Sequence, residues 1–155
     1  SMQNSRGFTL IELIMVIILI GVVSAAASSL FTRTSSFSAV AARDQMIAIA
    51  TVAQKRALAD SAATQSVFLR IIQTSGEWTL AVLQGTTELS TLTIQRNGTT
   101  LTIDGTALAD GASHNVRYAG NGFTGTNQTW VVSADQSHIL CITSSGYSHD
   151  GNCQP

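Results

Sequence analysis

Residues 8–31 read FTLIELIMVIILIGVVSAAASSLF, a run of 24 in which Glu12 is the only ionisable side chain. No other feature restricts the fold of this chain as strongly. A helix rising 1.5 Å per residue makes the run about 36 Å long against a hydrocarbon core of about 30 Å, so it is long enough to cross a bilayer. Arg6 stands before it and Arg33 after it, so flanking charge does not set an orientation. A secretory signal has a shorter apolar region, roughly 7 to 15 residues, followed by a small-residue cleavage site. Ala25-Ala26-Ala27 would serve as such a site, but that reading leaves Glu12 without an explanation. A carboxylate in hydrocarbon costs about 2.5 to 3.5 kcal/mol on insertion scales and calls for a named partner.

A partner arises if the chain is cut between Gly7 and Phe8. The cut creates an α-ammonium on Phe8, one helical turn from Glu12 of the same chain and able to meet Glu12 of a neighbour. Gly7-Phe8-Thr9-Leu10-Ile11-Glu12-Leu13, followed at once by the apolar helix, resembles the cleavage and methylation motif of type IV prepilins and secretion-system pseudopilins. The resemblance implies that a prepilin peptidase removes residues 1–7 as a leader, that Phe8 is then N-methylated, and that Glu12 neutralises the new terminus of an adjacent subunit. It implies other pilins as partners. It further implies a single pass of the inner membrane with the head in the periplasm, followed by incorporation into a filament on the cell surface. Residues 8–31 are then the membrane and assembly helix, and residues 32–155 the head. Ser1 ahead of Met2 reads as a remnant of expression, and the presence of residues 1–7 as the unprocessed precursor. Members of this family often carry a proline about two-thirds along the apolar helix. This chain has none there, which leaves Gly21, about 1 kcal/mol worse than alanine in a helix, as the place for local stretching during assembly.

No proline interrupts residues 8–62, and residues 38–63 are rich in alanine and straight-chain side chains, so the helix is expected to continue beyond the membrane for about 55 residues and roughly 80 Å in all. Met46, Ile49, Ala50, Ala53 and Ala57 recur on one apolar face, while Arg43, Asp44, Gln54, Lys55 and Asp60 point mostly elsewhere. After residue 63 the texture changes. Ten of the twelve glycines lie from Gly76 onward, threonine becomes frequent, and apolar residues alternate with polar ones in Val67, Leu69 and Ile71 and in Trp78, Leu80 and Val82. Asn97-Gly98 between Leu92-Thr93-Ile94 and Leu101-Thr102-Ile103 predicts a hairpin. Asp104-Gly105, Asp110-Gly111 and Asn121-Gly122 mark further turns, and Trp130-Val131-Val132 and Ile139-Leu140-Cys141-Ile142 read as the last two strands. The fold class is α+β: a long N-terminal helix whose second half covers one face of an antiparallel sheet of six or seven strands.

Cys141 and Cys153 lie 12 positions apart, too far for a CxxC redox or zinc pattern. A disulfide suits them better, closing a loop of about 13 residues worth on the order of 3 kcal/mol and implying an oxidising compartment; two unpaired buried thiols in a cytosolic protein are the alternative. The long helix, short strands and scarce charge resemble the H-type minor pseudopilins and their minor-pilin relatives. Thr34-Ser35-Ser36-Phe37-Ser38-Ala39, with the helix after it and the closing loop from Cys141 to Cys153, is similar to a minor pilin of the mannose-sensitive haemagglutinin type. That likeness implies a role in pilus biogenesis and surface attachment. A minor pseudopilin of a type II secretion system and an uncleaved single-span membrane protein are the competing readings.

The head offers little chemistry. His114, His138 and His149 are spaced 24 and 11 apart, which matches no ligand pair, and no nucleophile elbow, phosphate loop or zinc motif occurs. Asp104 and Asp110 flank a loop with few side-chain oxygens, so neither calcium nor any other metal or cofactor is expected, and neither is an enzyme. Eight Lys and Arg against nine Asp and Glu leave a formal charge of −1, which excludes a protein that coats nucleic acid, and Lys55-Arg56 is the only basic cluster beyond the membrane segment. The loop 143–152, TSSGYSHDGN, is polar and suited to display: Tyr147 and His149 are candidates for contact with a surface or a glycan, against a plainer role in shielding a sheet edge.

Overall fold

A computed structural model describes residues 7–154, apart from the side chains of residues 28–37. The leader therefore lies outside the described residues except for Gly7, as do the side chains of Thr34 to Phe37 in the stretch that carries the minor-pilin likeness. The chain divides between Thr34 and Ser35 into two compact units. One helix, α1 (Leu10–Ala59), contributes to both. It runs through Gly21 without a break and ends after 50 residues, a little sooner than its composition predicts. In the N-terminal unit Leu10–Ala27 is long and apolar enough to cross a membrane, and none of it is buried among the described residues.

The C-terminal unit contains nine strands in two antiparallel sheets. The first sheet has the order β3 (Thr87–Gln95), β2 (Glu77–Gln84), β1 (Val67–Gln73), β6 (Ser113–Tyr118). The second has the order β5 (Thr106–Ala107), β4 (Thr100–Ile103), β7 (Gln128–Ser133), β8 (Ser137–Ile142), β9 (Ser148–Asp150). The expected helix face is the buried one: Met46, Ile49, Ala50, Ala53 and Ala57, joined by Ala39 and Ala42, enter one cluster with inward residues of both sheets, among them Leu69, Leu80, Val116, Trp130 and Leu140. Alanine at five of these seven positions makes the helix's share of the core small in volume, and fully buried Trp78, Trp130 and Tyr118 fill it from the strand-bearing side.

Two expectations are corrected here. The head contains a pair of sheets in place of one sheet of six or seven strands, and Asn97-Gly98 joins β3 of the first to β4 of the second instead of closing a hairpin. The local turn does form: Asn97 and Gly98 both have positive φ, 50° and 77°, and Thr99 N donates to Arg96 O at 2.9 Å. The strands part because Arg96 takes the place of a ladder partner. Its Nε and Nη2 donate to Thr99 O at 3.1 and 3.0 Å, and its Nη1 donates to Thr74 O at 2.6 Å and to Asp110 Oδ1 at 2.8 Å. The guanidinium also lies 5.4 Å from the Trp78 ring centroid. Buried Gln73 completes the cluster, accepting from Trp78 Nε1 and donating to Leu108 O and Asp110 Oδ1. A hairpin turn does occur at Asp104-Gly105, between β4 and β5, where Asp104 Oδ1 accepts from Thr129 N at 2.8 Å.

The segment expected to be an open loop after β8 is a third correction. It folds back as β9, so that Cys141 pairs with His149 and Ile142 with Ser148, and β9 forms the sheet edge. Its turn is locked against the loop before β7: Thr124 N and Gly125 N both donate to Ser144 O, and Asn127 Oδ1 accepts from Ser144 N. Gly146 has φ +86°, and a Cβ there would collide with Gly122 O. Alanine at this position combines a left-handed backbone with a backbone clash, so Gly146→Ala is expected to lower stability by about 2 kcal/mol or more in denaturant unfolding.

Asp110 supplies a pH prediction. The hydrogen bond from Gln73, then that from Arg96, holds its carboxyl below the ordinary range, with burial opposing and the charge of Arg96 assisting. A depressed folded-state value makes this contribution complete above the unfolded value of about 3.9 and lost as pH falls through the folded one. Unfolding followed from pH 6 down to 2 is expected to show a steeper loss of stability in the parent than in Asp110→Asn.

Candidate functional site

At the N-terminus Gly7, Phe8 and Thr9 are non-helical, and α1 begins at Leu10. The first four N–H groups of any helix have no partner within it, and in a membrane-embedded start water does not supply one. Thr9 and Glu12 satisfy two such groups between them. Glu12 N donates to Thr9 Oγ1 at 3.3 Å, and Thr9 N donates to Glu12 Oε2 at 3.0 Å, the reciprocal arrangement of a capping box. Leu13 N donates to Thr9 O at 3.2 Å, which makes Thr9 the N-cap. The carboxylate also lies in the first turn, where the positive end of the helix dipole favours it.

This arrangement decides what Glu12 can do. Its carboxylate is held at the helix start by its own chain, four residues beyond Phe8, with one oxygen committed to Thr9 N. Phe8 is 90% exposed, so its ring is left uncovered among the described residues. Thr9 is the residue that inspection of the apolar run overlooks. Its signal was present in the spacing Thr-x-x-Glu ahead of an apolar segment.

The other singled-out residues are scattered over the head. Cys141 and Cys153 form a disulfide with Cα atoms 5.1 Å apart; Cys141 is fully buried, and the bond ties the C-terminal tail to β8. Tyr147 is 61% exposed, and its ring stacks on that of His149 with centroids 5.6 Å apart, so the two candidate contact residues form one small platform on the edge hairpin. His149 Nδ1 lies 2.7 Å from Asp150 O. His114 on β6 meets Gln128 Oε1 at 3.0 Å and lies edge-on to Trp130, while His138 on β8 has a buried Nε2 with no partner. The structure does not bring the histidines together, and among the described residues no group of three or more His, Cys, Asp or Glu side chains is placed to hold a metal ion. Asp104 and Asp110 are engaged by N–H donors of Thr129, Gln73 and Arg96. Burial pushes the Tyr118 hydroxyl up to about 12 against a smaller pull from Ser148, two oxygens that interact without completing a hydrogen bond.

A family model described as the prokaryotic N-terminal methylation motif matches residues 2–28, which include Gly7, Phe8, Thr9 and Glu12. No curated protein and no solved structure matches the chain. The matched segment supports a type IV prepilin-like protein, whose motif implies processing by a prepilin peptidase and assembly with other pilins.

Removing the Thr9 hydroxyl breaks half of the capping box. Thr9→Val is expected to fray the first turn and lower its stability by about 1 kcal/mol, seen as faster amide exchange at residues 10–13 in micelles, with Thr9→Ser close to the parent. Reducing the disulfide is expected to lower the unfolding free energy of the head by about 3 kcal/mol and to raise proteolysis of the C-terminal tail.

Proposed function

We propose that this chain is a minor pilin of a type IV pilus of the mannose-sensitive haemagglutinin kind, with a structural role in building the filament and supporting attachment, and not an enzyme. The observation that carries the reading is the cleavage and methylation motif at the mouth of an apolar helix that the protein leaves uncovered. The precursor is held in the inner membrane by residues 8–31 with its head in the periplasm. Prepilin peptidase cuts between Gly7 and Phe8, Phe8 is N-methylated, and the helix then passes from lipid into the company of other pilin helices. Glu12 serves both environments. In the precursor it caps its own helix through Thr9 N, and in the filament it neutralises the ammonium of an adjacent subunit.

The disulfide in the head suits an oxidising compartment outside the cytoplasm. The Tyr147–His149 platform, exposed on a hairpin, supplies an aromatic surface for a glycan or a solid support. The same parts serve a minor pseudopilin of a type II secretion system. Deletion separates the two, because a pilus subunit alters the number of surface pili and a pseudopilin alters secretion of exported enzymes.

Glu12→Ala or Glu12→Val is expected to leave cleavage intact and to reduce incorporation into sheared filaments at least several-fold, read by immunoblot. Gly7 replaced by a bulky residue is expected to block processing, visible by mass as retention of the leader. A mature protein that keeps residues 1–7 would instead mark an uncleaved single-span protein and overturn the proposal. Exchange of both Tyr147 and His149 for alanine is expected to preserve piliation while reducing attachment.

A further inference from the structure

On the outer face of the first sheet two arginines stand without an ion pair among the described residues. β1 places Phe68, Arg70 and Ile72 there, all half-buried; β2 places Ala81 and Leu83, and β6 places Asn115 and Arg117. The register sets Arg117 opposite Phe68 and Asn115 opposite Arg70, so the two arginines are diagonal neighbours on adjacent strands. Side chains as long as arginine can reach across that diagonal, so one anionic group placed between the strands is within range of both. The acids of this face stand away from both arginines: Glu77 near the start of β2 accepts from Gln95 Nε2, and Glu88, opposite Leu83 on the edge strand β3, accepts from Thr91 Oγ1.

The donors are largely unspent. Arg117 uses Nε on Ser66 Oγ at 2.9 Å, which leaves both terminal nitrogens. The Arg70 side chain makes no hydrogen bond or ion pair among the described residues, and its Nε is buried without an acceptor. A buried N–H without a partner is rare in a folded protein and costly to retain. Arg70 also borders a shallow cavity of about 210 Å³ together with Phe68, Leu83, Gly85 and Asn115. The opening therefore combines an aromatic ring, an aliphatic wall, an amide and the Arg70 guanidinium, while Arg117, opposite Phe68, stands outside its lining.

We propose that this face binds a hexuronic acid unit of an anionic polysaccharide. The sugar carboxylate is met by the planar donor forks of Arg70 and Arg117, the pyranose ring lies against Phe68, and Asn115 bonds a ring hydroxyl. Charge selects this ligand over a polyphosphate. The unit from Ser35 to Pro155 carries six basic and eight acidic side chains, so a long polyanion that needs cations at every step is repelled by the surroundings, whereas a single carboxylate feels chiefly the two arginines. The site lies on the outer face of the sheet, uses other residues than the Tyr147–His149 platform, and does not depend on how the N-terminus is processed.

The test is a titration of the full chain in neutral detergent with trigalacturonate, neutral galactotriose, inorganic phosphate and a short oligothymidylate, followed by calorimetry and backbone amide shifts. Trigalacturonate is expected to bind, with shifts centred on residues 68–70, 83–85 and 115–117, weakening with salt. Arg70→Gln and Arg117→Gln are each expected to weaken it about tenfold, as loss of a charge-assisted hydrogen-bonding partner does, while Lys55→Gln on the exposed side of α1 leaves it unchanged. If Arg70→Gln fails to fold, the exposed Arg117→Gln carries the test. Equal binding of the neutral trisaccharide, equal competition by inorganic phosphate, tighter binding of oligothymidylate, indifference to both arginine variants, or no binding at all would each overturn the proposal.

Discussion

Between Leu10 and Ala27 the helix presents an apolar surface that is left uncovered among the described residues, and the rest of the protein's design answers to what must cover it instead. Lipid satisfies that surface without a partner. A filament core satisfies it only if other chains bring similar helices, which makes membrane anchoring and assembly two solutions to one physical problem. The polar requirement at the helix start is separate. A backbone N–H in hydrocarbon is costly to leave unpaired, and Thr9 with Glu12 closes two of these groups internally. Glu12 is thereby an acid with a local partner before any neighbour arrives, which lowers the penalty of holding it beside a membrane.

The head rests on a different device. Five alanines on the buried face of α1 join inward residues of both sheets in one core, and large side chains from the strands supply most of its volume. Neither sheet is stabilised by a hairpin to the other, so the crossing from β3 to β4 needs its own fastening. Arg96 provides it through carbonyls on either side, an ion pair with Asp110 and a face of Trp78, while Gln73 holds the Trp78 indole and the same carboxylate. At the opposite edge the disulfide and the interlocked glycine turns keep β9 in place, so that the second sheet ends in a short, tethered strand in place of a long open edge.

Reading residues in order succeeds where the physics is local. The apolar run, the 3.6-residue stripe from Met46 to Ala57 and the alternation in β1 each announce themselves within a dozen positions and are present in the fold, whereas the alternation expected in β2 gives way to continuous burial from Leu80 to Gln84. Asn97-Gly98 marks the limit. Its turn is local and forms as expected, but whether the flanking strands then pair is set by Arg96 and by partners 14 to 22 positions away, which no short window contains. β9 has no local signal for a related reason: three residues without apolar alternation become a strand only because β8 lies beside them.

The sequence by itself determined a membrane-length helix, a processing motif with its acid, an α+β head and two cysteines spaced to bridge, because these depend on side-chain chemistry and periodicity along the chain. Tertiary structure alone decided that the strands divide into two sheets, that Tyr147 stacks on His149, and that Arg70 and Arg117 stand together on one face without an acid between them. Those outcomes depend on strand register, and register is settled by burial across the whole core, where a shift of one residue would carry every side chain of a strand to the opposite face.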